Sequence, residues 1–373
     1  MSARRWWCAT AMLVVVAACR EDRRALAIAP LPARVPLAAP VAAPSTLAAE
    51  SNVDDRDYVG PEACIACHPD NGARWRHSLH ATMTQRADGA AILGDFDGAS
   101  VAYGGGHARF ERDRGAAIMA LTDRHGVTRR FRVTRTIGTR ALQEYVGVAM
   151  EGADPIEVRL PWGYWRARAG WYPQPYYDSW FDAEYDGATP RFDAFAAPTE
   201  PWAGRCAWCH TTYPFALRLA RPGVGAGPEG ALATVAPALP DGVLPAARIL
   251  VDGVACESCH FGGRAHAEAP EQVAPTFAPR GPQVRSEDGG PLPPADRDDP
   301  RTIGAICAQC HSTPSPRFPD GSAARNSSES LAMAAGACTT EIRCVDCHDP
   351  HSRGADSGAP DQPAHVAACV RCH

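Results

Sequence analysis

The sequence predicts a fold of mostly short α-helices and coil, interrupted by one small antiparallel β module. Three observations support this fold class. Proline and glycine are abundant, with 34 and 33 residues in a chain of 373, which is typical of many loops and few long regular elements. The stretch 99–166 alternates apolar and polar residues between Gly and Asp turns, as half-buried strands do. Six copies of one short cysteine and histidine motif lie outside that stretch.

The repeated motif is Cys-x-x-Cys-His. Its six copies contain twelve cysteines, namely Cys64, Cys67, Cys206, Cys209, Cys256, Cys259, Cys307, Cys310, Cys344, Cys347, Cys369 and Cys372. A histidine directly follows each pair: His68, His210, His260, His311, His348 and His373. This spacing is the attachment signature of c-type haem, in which the thiols bond the porphyrin and the histidine is the proximal iron ligand. We therefore expect six covalently bound c-type haems, with the short helices and coil packed around them.

Paired cysteines also occur in zinc sites and in thioredoxin-like redox motifs. A structural zinc site needs a second cysteine pair or distant histidines, and it does not need a histidine directly after every pair. A thioredoxin-like pair needs a βαβ context, which this sequence lacks. Because all six pairs carry the histidine and together use twelve of the fifteen cysteines, haem is favoured over zinc or disulfides.

The first 18 residues are typical of a secretory signal peptide. Arg4 and Arg5 precede an apolar stretch, Trp6 to Ala18, which is too short to span a bilayer comfortably. The segment Val16–Cys19 resembles a bacterial lipobox, so we expect cleavage before Cys19 and lipidation of that cysteine. An ordinary signal peptide, cleaved after small residues, is the alternative.

Residues 19–56 are rich in alanine and proline, and they predict an extended tether behind the lipid anchor. Two or three acyl chains hold a protein firmly at a membrane. Thioether attachment of haem is a periplasmic process in bacteria, so export agrees with the haem motifs. In Gram-negative lipoproteins, a residue other than aspartate after the lipidated cysteine favours export to the outer membrane, and Arg20 follows Cys19 here. We therefore expect a lipoprotein of the outer membrane that faces the periplasm.

Three segments follow the tether. They are a first haem segment at 57–98, the antiparallel β module at 99–166 and a five-haem domain at 167–373. Strands are predicted at Ser100–Tyr103, Ala108–Arg112, Ala117–Thr122, Thr128–Thr136, Gln143–Met150 and Ile156–Trp165, because these stretches alternate in polarity between turn residues. We expect this small sheet to pack beside the haems as a cover.

Seven histidines remain as possible distal ligands of the irons. They are His77, His80, His107, His125, His266, His351 and His365. Four have favourable contexts and are predicted as ligands: His80 after the first motif, His266 after two glycines that permit close approach to a porphyrin, His351 after a proline turn, and His365 one helical turn before Cys369. The other three histidines are weaker candidates, as are Met83, Met119, Met150 and Met333.

Four segments carry a resemblance to a known group: Tyr58–Cys64 with Trp75, Ser78 and His80, then Ile92–Gly98, Val254–His260 with His266, and Cys344–Ser352. They resemble exported bacterial multihaem c-type cytochromes, in the group related to the tetrahaem cytochrome of nitrifiers with doubled Cys-x-x-Cys-His motifs. The resemblance implies His80, His266 and His351 as axial ligands and electron transfer as the function. Pentahaem nitrite reductases use a Cys-x-x-Cys-Lys haem, and this sequence contains no lysine, which excludes that catalytic route.

We expect a hexahaem cytochrome that passes electrons through closely packed haems to redox partner proteins, such as other cytochromes or quinol-linked complexes. An alternative is an oxidoreductase that acts on a small nitrogen or sulfur oxyanion at one five-coordinate haem. Arg74, Arg76 and Arg264 lie near motifs and could bind an anion, or pair with haem propionates. A structural subunit of a larger cytochrome complex is a third possibility. The net charge of −5 and the lack of a basic stripe give no indication of nucleic-acid binding.

Overall fold

The computed structural model describes residues 51–103, 105–152, 156–174, 201–215, 232–234, 249–281, 284–286, 295–312, 317–323, 327–336, 341–352, 366–367 and 369–370. The signal peptide, Cys19, most of the tether, His365, Cys372 and His373 lie outside the described residues. No helix in the described part of the chain has the length and apolar character needed to cross a membrane.

A nine-stranded antiparallel sheet is the largest element. Its strands are β1 Thr84–Arg86, β2 Ser100–Tyr103, β3 Gly106–Asp113, β4 Ala116–Thr122, β5 Thr128–Ile137, β6 Leu142–Ala149, β7 Val158–Arg159, β8 Trp162–Trp165 and β9 Gly170–Pro173. Their order is β2-β3-β4-β5-β6-β8-β9, with β1 paired to β5 and β7 paired to β6. A separate pair joins β10 Leu232–Thr234 to β11 Val284–Ser286.

The described helices are short. They are α1 Pro61–Cys67, α2 Pro69–Arg76, α3 Trp202–Arg205, α4 Ala207–His210, α5 Glu257–His260, α6 Arg264–Glu268, α7 Pro300–His311 and α8 Glu329–Ala334. Single 3₁₀ turns cover Asp55–Asp57, Gly89–Ala91, Arg166–Arg168 and Cys344–Asp346.

The predicted fold class, mostly short helices and coil with a small β module, is therefore wrong. The sheet is larger than the module because β1 and β9 join it from outside 99–166, and few helices accompany it. Three of the helices are single four-residue turns, which bury little surface by themselves. The aromatic segment Trp162–Pro173 forms β8, which lies within the predicted strand Ile156–Trp165, and β9, since aromatic side chains suit a pleated, half-buried surface.

An aromatic core fills one face of the sheet. Phe96, Phe110, Tyr145 and Trp162 are fully buried there, and Phe110 stacks on Trp171 with ring centres 3.5 Å apart and planes 1° apart. β3 alternates buried and exposed residues along its first half, as a strand with one solvated face does. Packing of these aromatic side chains against one another stabilises the sheet.

A buried ion-pair group joins the sheet to the motif-bearing part of the chain. Arg135 of β5, 3% exposed, pairs with Glu157 at 3.0 Å and with Asp252. Its guanidinium also lies 5.2 Å from the centre of the Trp202 ring. Trp202 begins α3, just before the second motif, and Asp252 lies shortly before the third. Two motifs are thus held against the sheet.

A second apolar core lies among the motifs. It consists of Val53, Phe215, Phe261, Ile303, Ala305 and Ile306, with Cys259, Phe277, Cys307 and Cys344 packed against it. Cysteines of the third, fourth and fifth motifs therefore share one core, so these three motifs lie close together in space.

Candidate haem centres

Each fully described motif is folded as a helical turn. The amide of the motif histidine donates to the carbonyl of the first cysteine at 2.9 Å for His68, 3.2 Å for His210, 2.9 Å for His260 and 3.0 Å for His348. The fourth motif ends α7. A turn of this kind puts residues three and four apart on one face. The two thiols and the histidine can therefore bind one group.

The described cysteines form no zinc site and no disulfide. None of these eleven cysteines is joined to another by a disulfide. In the described part of the chain, no three side chains of His, Cys, Asp or Glu converge so that they could hold a metal ion. A structural zinc site needs about four such ligands, so the cysteine pairs do not have the arrangement that zinc requires.

Three motif histidines each face a histidine from a distant segment. His68 faces His266, with ring centres 6.2 Å apart and planes 17° apart. His260 faces His351 at 6.5 Å and 15°. The third pair is His80 with His311, at 6.4 Å and 74°. The structure thus brings together three of the four predicted distal histidines with three of the motif histidines.

The separation in these pairs fits an iron between the two rings. A metal–imidazole bond is about 2 Å long and the nitrogen lies about 1.1 Å from the ring centre, so two axial imidazoles on one metal have centres roughly 6.3 Å apart. Rings in direct face-to-face contact are much closer, as with Phe110 and Trp171 at 3.5 Å. All three histidine pairs match the first distance, so these residues fit a haem iron bound from both sides.

Protein acceptors lie beside the other nitrogen of several of these rings. His266 Nδ1 lies 2.6 Å from the carbonyl of Val273. His311 Nδ1 lies 3.0 Å from a carboxylate oxygen of Glu329. Partners of this kind orient metal-binding imidazoles, and they leave Nε2 as the nitrogen available for iron.

The segment Asp349–His351 serves two of the pairs. His351 belongs to one pair and its Nδ1 lies 3.4 Å from Asp349 Oδ1. The carbonyl of Pro350 lies 3.5 Å from Nδ1 of His80, which belongs to another pair. Arg74 of α2 binds Asp349 at 2.8 Å. One short turn after the fifth motif therefore positions histidines for two different centres.

Burial and charge set the protonation of these rings. Burial lowers the pKa of His80 and of His260, which favours the neutral imidazole that binds metals. The hydrogen bond to Glu329 has the opposite effect and raises the pKa of His311. The same bond lowers the pKa of Glu329, which therefore stays a carboxylate.

Cysteines of different motifs are also in contact. The Cys64 thiol is hydrogen-bonded to Cys256, and this bond raises the pKa of Cys64 and lowers the pKa of Cys256. Cys344 is hydrogen-bonded to Cys307 in the same way, and this bond lowers the pKa of Cys344 to about 7. The first motif thus meets the third, and the fourth meets the fifth.

The second motif differs from the three described above. His210 is not faced by a histidine ring among the described residues, and its Nδ1 is buried without a hydrogen-bond partner there. Burial, together with the positive charge of Arg159, lowers the pKa of His210 to about 4. Arg159 of β7 binds Glu144 at 2.7 Å, so the sheet places a charged pair beside this motif.

The remaining candidates lie apart from the three pairs. His77, His107 and His125 are exposed, and in the described part of the chain none of them faces a motif histidine. The methionine candidates include Met119, which is fully buried in the aromatic core of the sheet. His348 is exposed. Of the cysteines and the histidine of the sixth motif, Cys369 alone belongs to the described residues.

The three arginines suggested as anion ligands are engaged with the protein. Arg74 binds Asp349 at 2.8 Å, and Arg76 binds Glu62 at 3.0 Å. Arg264 donates to the carbonyl of Tyr58 at 3.0 Å. Sequence reasoning did not single out Glu257, Glu329 or Asp349, the carboxylates that brace these segments. For Glu257 and Asp349 a signal exists, because both lie inside or directly after a motif.

No family model and no curated protein matches this sequence. Among solved structures, the chain is similar to the Outer Cell Wall Cytochrome OcwA, with 18% identity and a TM-score of 0.33 over 63% of this chain. The chain spans 40% of the length of that cytochrome. A TM-score this low does not show a shared fold, so function is inferred below from the residues of this chain alone.

Proposed function

We propose that this protein is an exported multihaem c-type cytochrome that carries six covalent haems and transfers electrons between redox partners. The observation that carries the proposal is the set of three facing histidine pairs, each of which joins a motif histidine to a histidine elsewhere in the chain. A shared iron accounts for the nearly equal spacing of the three pairs.

A bound c-type haem supplies a one-electron iron couple. The cysteines of the motifs would attach the group, and the paired histidines would supply imidazoles to its iron. An iron with two histidine ligands has no open position for a substrate, so the three pairs favour electron transfer over catalysis. The acceptors at Nδ1, such as Val273 and Glu329, hold the rings in place and adjust their basicity.

Close packing of the motifs supports transfer from one haem to the next. The thiols of Cys64 and Cys256 are in contact, as are those of Cys307 and Cys344. Cys259 and Cys307 pack against one core. Haems attached at these cysteines would be neighbours in a continuous row, which is the arrangement that an electron carrier needs.

The N-terminal sequence supports a proposal for where the protein is located in the cell. We propose lipidation at Cys19, a tether behind it and a location on the outer membrane facing the periplasm. Redox partner proteins, such as other cytochromes or quinol-linked complexes, would exchange electrons there. Replacement of Cys19 with Ala should release the protein from the membrane fraction without loss of haem. If the chain instead has an ordinary signal peptide and no lipid anchor, the same replacement should leave the fractionation unchanged.

A second candidate function is favoured by His210. Among the described residues no histidine faces it, and Arg159 lies nearby. An iron held there by a single protein ligand would have room for a small oxyanion, which makes an oxidoreductase the alternative. Added nitrite or cyanide would change the spectrum of such an iron. If all six irons have two protein ligands each, the spectrum should not change.

The test is a haem count on the exported protein. Pyridine haemochrome absorbance per chain, together with the intact mass, should give six haems. Replacement of both cysteines of one motif, for example Cys307 and Cys310 with Ala, should remove one haem. A wild-type chain without covalent haem would overturn the proposal.

A further inference from the structure

The side chain of Glu257 binds the backbone of two other segments of the haem region. It lies inside the third motif and is 3% exposed. Its Oε1 accepts hydrogen bonds from the amides of Val59 at 3.0 Å and Gly263 at 2.8 Å. Its Oε2 accepts from the amide of Gly60 at 2.8 Å. Bonds from amides to a carboxylate are stronger than those between neutral groups, and burial strengthens them further.

The three amides belong to the starts of two helices. Gly60 is the N-cap of α1, which contains Cys64 and Cys67 and is followed directly by His68. Gly263 is the N-cap of α6, which contains His266. His68 and His266 form one of the facing pairs, with ring centres 6.2 Å apart. One carboxylate therefore holds the starts of both elements that supply this pair.

The backbone around these amides requires glycine at two positions. Gly60 has φ 82°, and Gly262 has φ 39° with the carbonyl of Asn52 where a Cβ would lie. Phe261, fully buried, packs edge-on against Phe215 at 5.0 Å. The turn between the third motif and α6 is thus fixed on one side by packing, and on the other side by Glu257.

We propose that Glu257 is a positioning residue for the haem of the first motif. It would set the spacing between His68 and His266 although it belongs to the motif of a different haem. This inference rests on the proposed function, because it assumes an iron between the two rings. In this proposal one carboxylate links the backbone of the first motif to that of the third. Cys64 and Cys256 of these two motifs are also in contact.

A purely structural role makes a different prediction. Loss of a buried hydrogen-bonded group would then lower stability while every haem kept its ligands. A positioning role requires that the change act on one iron in particular. The readout must therefore report axial ligation at individual haems and not only folding.

The experiment uses EPR of the oxidised holoprotein in three variants: Glu257→Ala, Glu257→Gln and His266→Ala. The His266 variant removes the ligand itself and sets the reference loss of one low-spin signal. We expect Glu257→Ala to lose that same signal and to gain high-spin iron, with six haems still bound. Glu257→Gln keeps one acceptor oxygen and should retain part of the signal. The matched control is Glu62→Gln on α1, a side chain that is 77% exposed, and it should leave the spectrum unchanged.

The outcomes separate the two proposals. If Glu257→Ala and Glu257→Gln both keep the full low-spin spectrum, Glu257 does not position His266. If the Glu257→Ala protein does not accumulate, the Glu257→Gln variant is the test. An unchanged low-spin signal in Glu257→Gln would also overturn the inference. The double variant Glu257→Ala with His266→Ala should show no loss beyond that of His266→Ala. A wild-type chain without haem would instead overturn the proposed function.

Discussion

The ring centres of His80 and His311 lie 6.4 Å apart, and the ring planes cross at 74°. The other two facing pairs are close to parallel, at 17° and 15°. This difference is a property of the chain's packing, because each ring is oriented by the segment that carries it, and His266 and His311 also by an acceptor at Nδ1.

The plane angle predicts two kinds of low-spin EPR signal. Parallel imidazole planes split the two iron d orbitals that interact with the rings, and this gives a rhombic signal. Crossed planes leave these orbitals nearly equal in energy, which gives a signal with a single very large g value. We expect one signal of the second kind from the His80 and His311 pair. The His80→Ala variant should remove it and leave both rhombic signals in place, and loss of a rhombic signal instead would contradict the assignment.

A second prediction concerns Glu329, whose carboxylate lies 3.0 Å from Nδ1 of His311. This bond raises the basicity of the imidazole, and a more basic ligand stabilises the oxidised iron. Glu329→Gln should therefore shift the reduction potential of one haem to a more positive value. Spectroelectrochemical titration of the holoprotein measures the shift. Glu268→Gln, on an exposed carboxylate, is the control, and an equal shift in both variants would refute the role of Glu329.

Arg135 should be important for stability. It is 3% exposed and binds two carboxylates, Glu157 at 3.0 Å and Asp252. Removing one member of a buried ion pair costs about 3–5 kcal/mol, because the partner charges stay buried. Arg135→Ala should lower the free energy of unfolding by roughly that amount in denaturant titrations. The exposed pair of Arg112 with Asp97 gives the comparison, since Arg112→Ala should cost less than about 1 kcal/mol. Similar losses in the two variants would be inconsistent with a buried joint at Arg135.

The N-cap of α7 predicts a dependence of stability on pH. Asp299 Oδ1 accepts from the amide of Arg301 at 2.8 Å, and the hydrogen bond from the Arg301 side chain lowers the pKa of Asp299 below its ordinary value. A lowered pKa in the folded state stabilises the fold above the unfolded value of about 3.9, and this contribution disappears as the pH falls through the folded value. Asp299→Ala should cost about 1 kcal/mol at neutral pH. The difference between variant and wild type should vanish in acid, and a constant difference would show that the cap charge has no role.

Part of the fold could be predicted because it depends on local sequence. The alternation over Ser100–Tyr103 and Ala117–Thr122 predicted strands where β2 and β4 lie. β1 and β9 were missed, since Thr84–Arg86 is short and Gly170–Pro173 is a strand mainly through its pairing with β8. The class was wrong for the same reason, because strand pairing across distant segments enlarged the sheet.

The candidate site could also be predicted only in part. The neighbouring residues of His80, His266 and His351 in the sequence are enough to indicate them as candidate ligands. Their partners could not be predicted, because the pairing of His68 with His266 depends on how the first and third motifs meet. The position of Glu257 inside a motif marks it in the sequence, but its contacts could not be predicted, since its bonds to Val59 and Gly60 reach a segment far away in sequence.

The most direct test of the central claim is quantitative EPR of the oxidised holoprotein in two single variants, His266→Ala and His351→Ala, with His125→Ala as an exposed control. If each facing pair holds one iron, both variants should convert one low-spin iron to high-spin while the haem count stays at six, and the control should match the wild type. Unchanged low-spin spectra in both variants would show that the facing histidines do not ligate haem, and would contradict the account.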